Sequence, residues 1–355
     1  MQDQDYPTYL IQTKLNQPLL PVDLVTRPRL TDWLDKRRHH PLNLVSAPAG
    51  YGKSTLICCW LETVDCPTAW LSLDEHDNEL GVFLRYFLAA IQTIFPNTPP
   101  ETQAFLMATP LPPITAIANN LINELNQVER QFILVLDDYH LIEKQAIQDL
   151  LHELLIYPPR SLHLVLGTRM DPLLPLATLR ANDQVTEIRV QDLRFNQEET
   201  RQLFQKMLDI PIDQSAIREL DEQSEGWVTG LRLAALALRH RIAGDSLQGV
   251  ISIYNRYVTE YLISEILAKQ AETLSDCMLK TSILDRFCAD LCEAVCSEAA
   301  KLSGDGLGRQ EFNGAQFLEW MQASNLFVIP LDNSQEWFRY HHLFREFLQQ
   351  ELIRR

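Results

Sequence analysis

Two short stretches of this chain carry residue types that could handle a polyphosphate. The first is Ala47-Pro48-Ala49-Gly50-Tyr51-Gly52-Lys53-Ser54-Thr55, which follows the apolar run LNLV at 42–45 and opens a second apolar stretch. A strand, a glycine-containing loop and a helix in that order are what a phosphate-binding loop requires. Small residues let successive backbone N–H groups point into one concavity, and the helix N-terminus adds its dipole. In that reading Lys53 reaches the β- and γ-phosphates and the Ser54 hydroxyl ligates Mg²⁺, while Gly50, Tyr51, Gly52 and Thr55 complete the cradle. One position departs from the pattern: Ala47 stands where a glycine is expected, which is tolerable if its φ stays negative. A plain glycine turn joining strand to helix is the structural alternative. Gly52-Lys53-Ser54 directly after an apolar strand argues against it.

The second stretch is Phe132-Ile133-Leu134-Val135-Leu136-Asp137-Asp138. An unbroken apolar run of this length fits a parallel strand buried on both faces, and its C-terminal end is where an open α/β sheet places ligands. Asp137 would hold Mg²⁺ through water and Asp138 would polarise an attacking water. Two aspartates at a strand end are a weak signal alone, and gain their meaning from Lys53 and Ser54. Arg169 ends the run Leu162-His163-Leu164-Val165-Leu166-Gly167-Thr168. It can contact a γ-phosphate or simply begin a surface loop, and the residues leave both open. The extended, proline-punctuated segment 11–30 can likewise lie against a base, with Val25, Arg27 and Pro28 as candidates, or strap the core.

These residues need elements to position them. Strands at 42–45, 68–74, 132–138, 162–166 and 185–190, separated by helices such as 30–36, 79–95 and 115–128, predict a doubly wound α/β domain over 1–195. Proline-rich turns are expected at 96–113. From 196 the pattern turns helical, with the turn Glu225–Leu231 between helices and a further helical tract at 249–300. That tract ends near the glycine-rich loop 301–308. A helix at 315–324, a hairpin from 326–331 and 336–340, and a closing helix at 341–352 suggest a winged helix. The division is therefore 1–195, 196–248 and 249–355.

Composition sets the exclusions. The 355 residues, 46% hydrophobic and 22% charged, describe an ordinary soluble globular chain, and no apolar run reaches the length of a membrane span. The N-terminus lacks the form of a signal peptide, so a cytoplasmic location is expected. A net charge of −16 argues against direct DNA or RNA contact, which needs a basic face. Of the 7 cysteines, Cys288, Cys292 and Cys296 recur on one helix face without a second pair to make a metal site, and read as small buried hydrophobes.

The whole set resembles the nucleotide-binding core of the signal-transduction ATPases with numerous domains (STAND). Within them it resembles the large ATP-binding LuxR-family transcriptional activators of the maltose-activator type. The resemblance runs through Thr13-Lys14-Leu15, Val25-Thr26-Arg27-Pro28-Arg29-Leu30, the phosphate loop, Trp70-Leu71-Ser72-Leu73-Asp74-Glu75 and Leu136-Asp137-Asp138-Tyr139-His140. It continues through Thr168-Arg169, Gly226-Trp227 with Gly230-Leu231, and Arg339-Tyr340-His341-His342-Leu343-Phe344. It implies an α/β fold: a P-loop NTPase parallel sheet followed by a helical domain and a winged-helix domain. It also implies a switch, locked by ADP, opened by ATP together with a small-molecule or protein inducer, forming a homo-oligomer when ATP-bound and reset by slow hydrolysis. The family's winged-helix histidine that contacts the ADP β-phosphate falls on His341, with His342 as second choice. Two departures stand out. Arg232 follows Gly230-Leu231 where relatives often place an adenine-covering proline. The sensor array and helix-turn-helix of that family do not follow Arg355, so either this is a module of a longer regulator or its output lies elsewhere. The contrasting reading is an AAA-type motor, for which Arg180 and Arg194 are unconvincing arginine fingers. A scaffold with a vestigial site is disfavoured by the intact Lys53, Ser54, Asp137 and Asp138.

Overall fold

The computed structural model describes residues 10–98, 100–108, 110–208, 218, 221–239, 247–302, 312–332 and 334–355. These fall into two compact units. One comprises the described residues of 1–21, 26–46 and 53–192, the other those of 22–25, 47–52 and 193–355.

In the first unit, β1 (Leu42–Ser46), β2 (Thr68–Ser72), β3 (Phe132–Asp137), β4 (Leu162–Thr168) and β5 (Val185–Ile188) form one parallel sheet in the order β2-β3-β4-β1-β5. The apolar runs explain the order. β1, β3 and β4 are buried along their whole length, as central strands covered on both faces must be, whereas β5 at the edge is buried only at alternate residues. The helices of this unit begin with α1 (Pro28–Lys36), α2 (Lys53–Leu61) and α3 (Leu80–Gln92). They continue with α4 (Pro100–Phe105), α5 (Ile114–Asn126) and α6 (Gln145–Ile156). Leu44, Leu134 and Leu164 join Phe87, Leu121 and Leu151 in one core.

Several boundaries differ from the expectations, each for a physical reason. α1 starts at Pro28 rather than Leu30, because a proline at the first helical position has its φ already set. β2 ends at Ser72 rather than Asp74. Asp74 instead caps the next turn, accepting from the His76 N–H at 2.9 Å while Asp77 accepts from the Asp74 N–H at 2.8 Å. The stretch 96–113 is not only turns, since it contains α4. The N–H groups of Glu101 and Thr102 at its start donate to the Glu124 carboxylate of α5 at 2.7 and 2.9 Å. A cap supplied by another helix leaves no local trace in the sequence.

The second unit contains helices Gln197–Met207, Val228–Arg239, Leu247–Glu265, Glu272–Thr281, Ala289–Leu302, Gly314–Ala323 and His342–Arg354. β6 (Val328–Pro330) and β7 (Phe338–Tyr340) pair antiparallel, with Val328 opposite Tyr340. The turn expected over Glu225–Leu231 is shorter: Glu225 and Gly226 take positive φ, and the helix already begins at Val228. Cys288 lies just before its helix, its carbonyl accepting from Cys292 N–H, and Cys277, Cys292 and Cys296 are buried. Positions 303–308 of the glycine-rich loop and Asn333 of the hairpin turn lie outside the described residues. Among the described residues no helix is long and apolar enough to cross a membrane, and none forms a cluster of metal-binding side chains.

Candidate functional site

In the first unit the sheet brings together what the sequence separates by more than 80 positions. Lys53 is the first residue of α2, and it is buried. Burial, aided by the nearby Arg169 charge and opposed by Asp138 and Asp137, lowers its ammonium pKa to about 8. Asp137 ends β3. Burial and the neighbouring Asp138 push its carboxyl up to about 6, against the hydrogen bonds it accepts from the Ser54 hydroxyl and the Asp138 N–H. The Oδ1 of Asp137 is buried without a hydrogen-bond partner. It fits only because the neighbouring strand carries glycine: a Cβ on Gly167 would lie 2.3 Å from that oxygen. A buried cation and a buried carboxylate with an uncommitted oxygen, sharing one strand end with a serine hydroxyl, make a site short of ligand atoms.

Asp138 adopts a left-handed conformation (φ 56°, ψ 34°), which turns it out of the strand, and its side chain is 45% exposed with His140 Nδ1 3.9 Å away. Arg169 follows β4 directly and is half-buried, near enough for its charge to act on Lys53. The sheet thus gathers Lys53, Ser54, Asp137, Asp138 and Arg169 at the carboxyl ends of β1, β3 and β4. Of the two arginines considered as fingers, Arg180 is held bidentately by Glu187 at 2.8 Å for both contacts, and Arg194 is hydrogen-bonded to Tyr51 and lies 3.7 Å from Glu225.

The loop 47–52 belongs to the second unit, where its backbone is clamped. The Trp227 indole N–H donates to the Ala49 carbonyl at 3.1 Å, and the Thr229 N–H and hydroxyl both donate to the Gly50 carbonyl, at 3.1 and 3.0 Å. With those carbonyls held, the peptide planes are fixed, and Gly50 and Gly52 take φ of 77° and 76°, open to glycine without strain. A Cβ on Gly50 would meet Thr229 Oγ1 at 2.6 Å. Ala47 does not take a positive φ and is buried, so alanine is accommodated there. The Tyr51 side chain turns into its own unit, 6.0 Å from the Phe327 ring and hydrogen-bonded to Arg194. Its main chain is what it can offer a ligand.

His341 is buried in the same unit. Its Nε2 lies 2.9 Å from the Ser224 carbonyl, so Nε2 carries the proton and donates, and Nδ1 is a buried acceptor with no partner. Burial lowers its pKa to about 4, against the pull of Glu225. Its ring sits 6.3 Å from Trp227, the residue that holds the loop. Beside it, Arg339 donates to both Glu225 oxygens at 2.7 and 3.0 Å, and Glu225 also accepts from the His342 N–H.

Of the base-contact candidates, Val25 and Arg27 are buried and Pro28 is exposed. The Arg27 guanidinium donates to the Asp192 carbonyl at 3.1 Å, and Thr55 is half-buried on α2. Arg232, which replaces the family's proline, donates to Asp23 at 2.7 Å, two residues before Val25. Trp227 and Thr229 as loop clamps, Gly167 as the space for Asp137, and the Arg232–Asp23 tether escaped the sequence reading.

A family model for the MalT winged helix domain matches residues 263–355. The HTH-type transcriptional regulator MalT of Yersinia pestis (strain Pestoides F) is 34% identical over 343 residues, covering 96% of this chain and 36% of the relative. MalT of Yersinia enterocolitica is 33% identical over the same extent. The chain therefore spans about a third of the length of the curated relatives it matches. A Walker-type ATPase of Pyrococcus abyssi superposes with a TM-score of 0.61 at 14% identity, covering 93% of this chain and 97% of that one, which shows a shared fold. The chain is thus MalT-like along 96% of its length, with a P-loop ATPase fold and a winged-helix domain matched at 263–355.

Proposed function

We propose that this chain is the nucleotide-binding regulatory switch of a signal-responsive, MalT-like transcriptional regulator. The observation that carries it is the group Lys53, Ser54 and Asp137: a buried ammonium, a hydroxyl and a carboxylate oxygen without a partner, with Gly167 leaving room. Bound ATP or ADP with Mg²⁺ would supply the polyphosphate and metal charges this group lacks. The backbone of Gly50–Thr55 would cradle the phosphates, Lys53 would neutralise them, and Ser54 would ligate Mg²⁺ with Asp137 acting through water. Asp138, exposed and turned outward, would orient water for slow hydrolysis, and Arg169 would read the γ-phosphate. Val25, Arg27 and Pro28 would lie against the base. His341 is the candidate β-phosphate contact, for which a neutral ring must expose an N–H that now serves the Ser224 carbonyl.

We further assign an ADP-locked resting state, opening and homo-oligomerisation with ATP, and an inducer whose binding region lies outside these residues, organised as 1–195, 196–248 and 249–355. A ligand shifts such an equilibrium only through different contacts in the two states, and a histidine that must exchange partners supplies one. Cytoplasmic placement goes with this reading.

The test is direct. The protein is purified without added nucleotide and denatured, and the released compound is identified by chromatography. Stoichiometric ADP supports the locked state, and ATP supports the site with hydrolysis awaiting a trigger. Lys53→Ala is expected to empty the site. Nucleotide content unchanged by Lys53→Ala refutes the assignment.

A further inference from the structure

The first unit has a concave surface at the opposite end of its strands. A cleft of about 690 Å³ lies where the strands begin, its wall passing through Pro41 before β1, Phe132 at the start of β3, Leu162 at the start of β4 and Gln184 before β5. That volume falls in the range of small-ligand sites. β4 has 7 residues, so the cleft and the Asp137 end of the sheet are about 20 Å apart at the rise of a strand.

Its chemistry is unlike the rest of the chain. In a protein of net charge −16, α1 runs out into Lys36-Arg37-Arg38-His39-His40, and Lys36, Arg38 and His39 line the cleft together with Arg160 from the turn before β4. All of these but His40 and the half-buried Arg37 are exposed. Two carboxylates share the cleft. Asp35 lies 3.1 Å from Arg38, and Asp183 points outward, 94% exposed and 3.9 Å from His40. The main chain here has little to offer: Phe132 N–H donates to Ser161 and Leu164 N–H to Pro41, at 2.8 and 3.0 Å. Recognition therefore falls to the side chains. Pro41, Pro158, Pro159 and Phe132 supply flat apolar surface. His163, 6% exposed, also lines the cleft. Its Nδ1 donates to the His40 carbonyl at 2.5 Å, and its Nε2 is a buried acceptor without a partner. Among the described residues no cluster of metal-binding side chains forms there.

We propose that this cleft is a second ligand site, taking a small organic anion whose phosphate or carboxylate head meets Arg38 and Arg160 and whose apolar face lies on the prolines. Guanidinium groups in an otherwise acidic surface favour such a head, and bidentate geometry suits both head groups. The site is independent of the nucleotide assignment.

The experiment is calorimetric titration of phenyl phosphate and of benzoate into the full chain, with benzyl alcohol as the uncharged body. Variants are Arg38→Gln/Arg160→Gln and Lys53→Ala, each checked by thermal melting. The expectation is a Kd of about 1 mM or tighter for at least one anion and none for benzyl alcohol. Affinity should fall at least about tenfold in the double arginine variant and stay unchanged in Lys53→Ala. Binding of phenyl phosphate alone identifies a phosphate head, and benzoate a carboxylate. No binding of either anion, or binding lost with Lys53→Ala and kept in the arginine variant, overturns the proposal. Because both arginines are exposed, the variant leaves the fold intact, and its melting temperature verifies this.

Discussion

Replacing Trp227 by Phe asks whether the phosphate loop is shaped by its clamp. The indole N–H donates to the Ala49 carbonyl from a fully buried position, and the ring packs 5.3 Å from Phe327 and 5.6 Å from Tyr261. Phenylalanine keeps an aromatic ring but deletes the donor, leaving a buried carbonyl unpaired at a cost of about 1–3 kcal/mol. The smaller ring adds a cavity cost that appears in the melting temperature alone. The carbonyl term is different, because it acts on the peptide plane that sets where the Gly50 N–H points. If roughly 1–2 kcal/mol of it reaches the ligand, ADP binds about 5–30 times more weakly. The assay is titration with a fluorescent ADP analogue, alongside thermal melting. Thr229→Val is the graded control. It deletes one of two donors to the Gly50 carbonyl while the Thr229 N–H stays at 3.1 Å, so its effect is expected to be below about 1 kcal/mol. A Trp227→Phe protein that melts earlier yet holds ADP within twofold of the parent refutes the clamp and leaves Trp227 a packing residue.

Other consequences follow from the same geometry. Gly167→Ala places a Cβ 2.3 Å from Asp137 Oδ1, so the carboxylate must move; a stability loss of about 1–3 kcal/mol and loss of Mg²⁺-dependent nucleotide retention are expected. Full retention in that variant would show that Asp137 does not serve the metal. Glu225→Gln removes the charge that burial alone would neutralise, but that Arg339, His341 and the His342 N–H hold down to about 2. A loss of about 1–3 kcal/mol is expected, and strict additivity with Arg339→Gln in a double-mutant cycle would show that the pair is not coupled. His341 and His163 are both kept neutral by burial, each with its pKa lowered from 6.5 to about 4. The unfolded chain therefore binds more protons than the folded one between those values. Stability is retained above pH 6.5 and lost as pH falls toward 4, by about 1.4 kcal/mol per pH unit for each ring. Denaturant midpoints that stay flat from pH 7 to 5 would contradict it.

What could be read in advance was whatever the chain writes locally. β1 and β3 are legible because a parallel strand covered on both faces is an unbroken apolar run, and Lys53 because a helix N-terminus after such a strand has few other meanings. The hairpin is legible from the turn residues Asp332-Asn333-Ser334 between two apolar stretches. By contrast, α4 depends on the Glu124 carboxylate, a partner 22 residues from Thr102, and no window of sequence contains both. Thr13-Lys14-Leu15 carries no local signature of its role. Its physical role is long-range: the buried Lys14 ammonium reaches Asp77 at 2.6 Å and lies over the Tyr86 ring at 4.3 Å, tying the segment before α1 to the turn after β2. Gly167 was invisible for the same reason, since the need for glycine comes from a side chain on the neighbouring strand.

The histidine at 341 shows how a resemblance and a physical reading constrain each other. By resemblance it is a phosphate contact, which needs an N–H presented to an anion. In its unit, however, the ring is neutral and its proton already serves the Ser224 carbonyl, leaving Nδ1 a bare acceptor. Such a ring can meet a phosphate in two ways. It can take up a second proton, which an anion beside it would favour by raising its pKa, or it can release Ser224 and swing. The first route couples nucleotide affinity to proton uptake, and the second couples it to the Ser224–Glu225 turn that Arg339 grips. Measuring ADP affinity from pH 8 to 6 separates them, since only the first makes binding tighten as pH falls, and a His341→Gln variant, which cannot take up a proton, removes that dependence. Affinity independent of both pH and the identity of residue 341 would remove His341 from the site altogether.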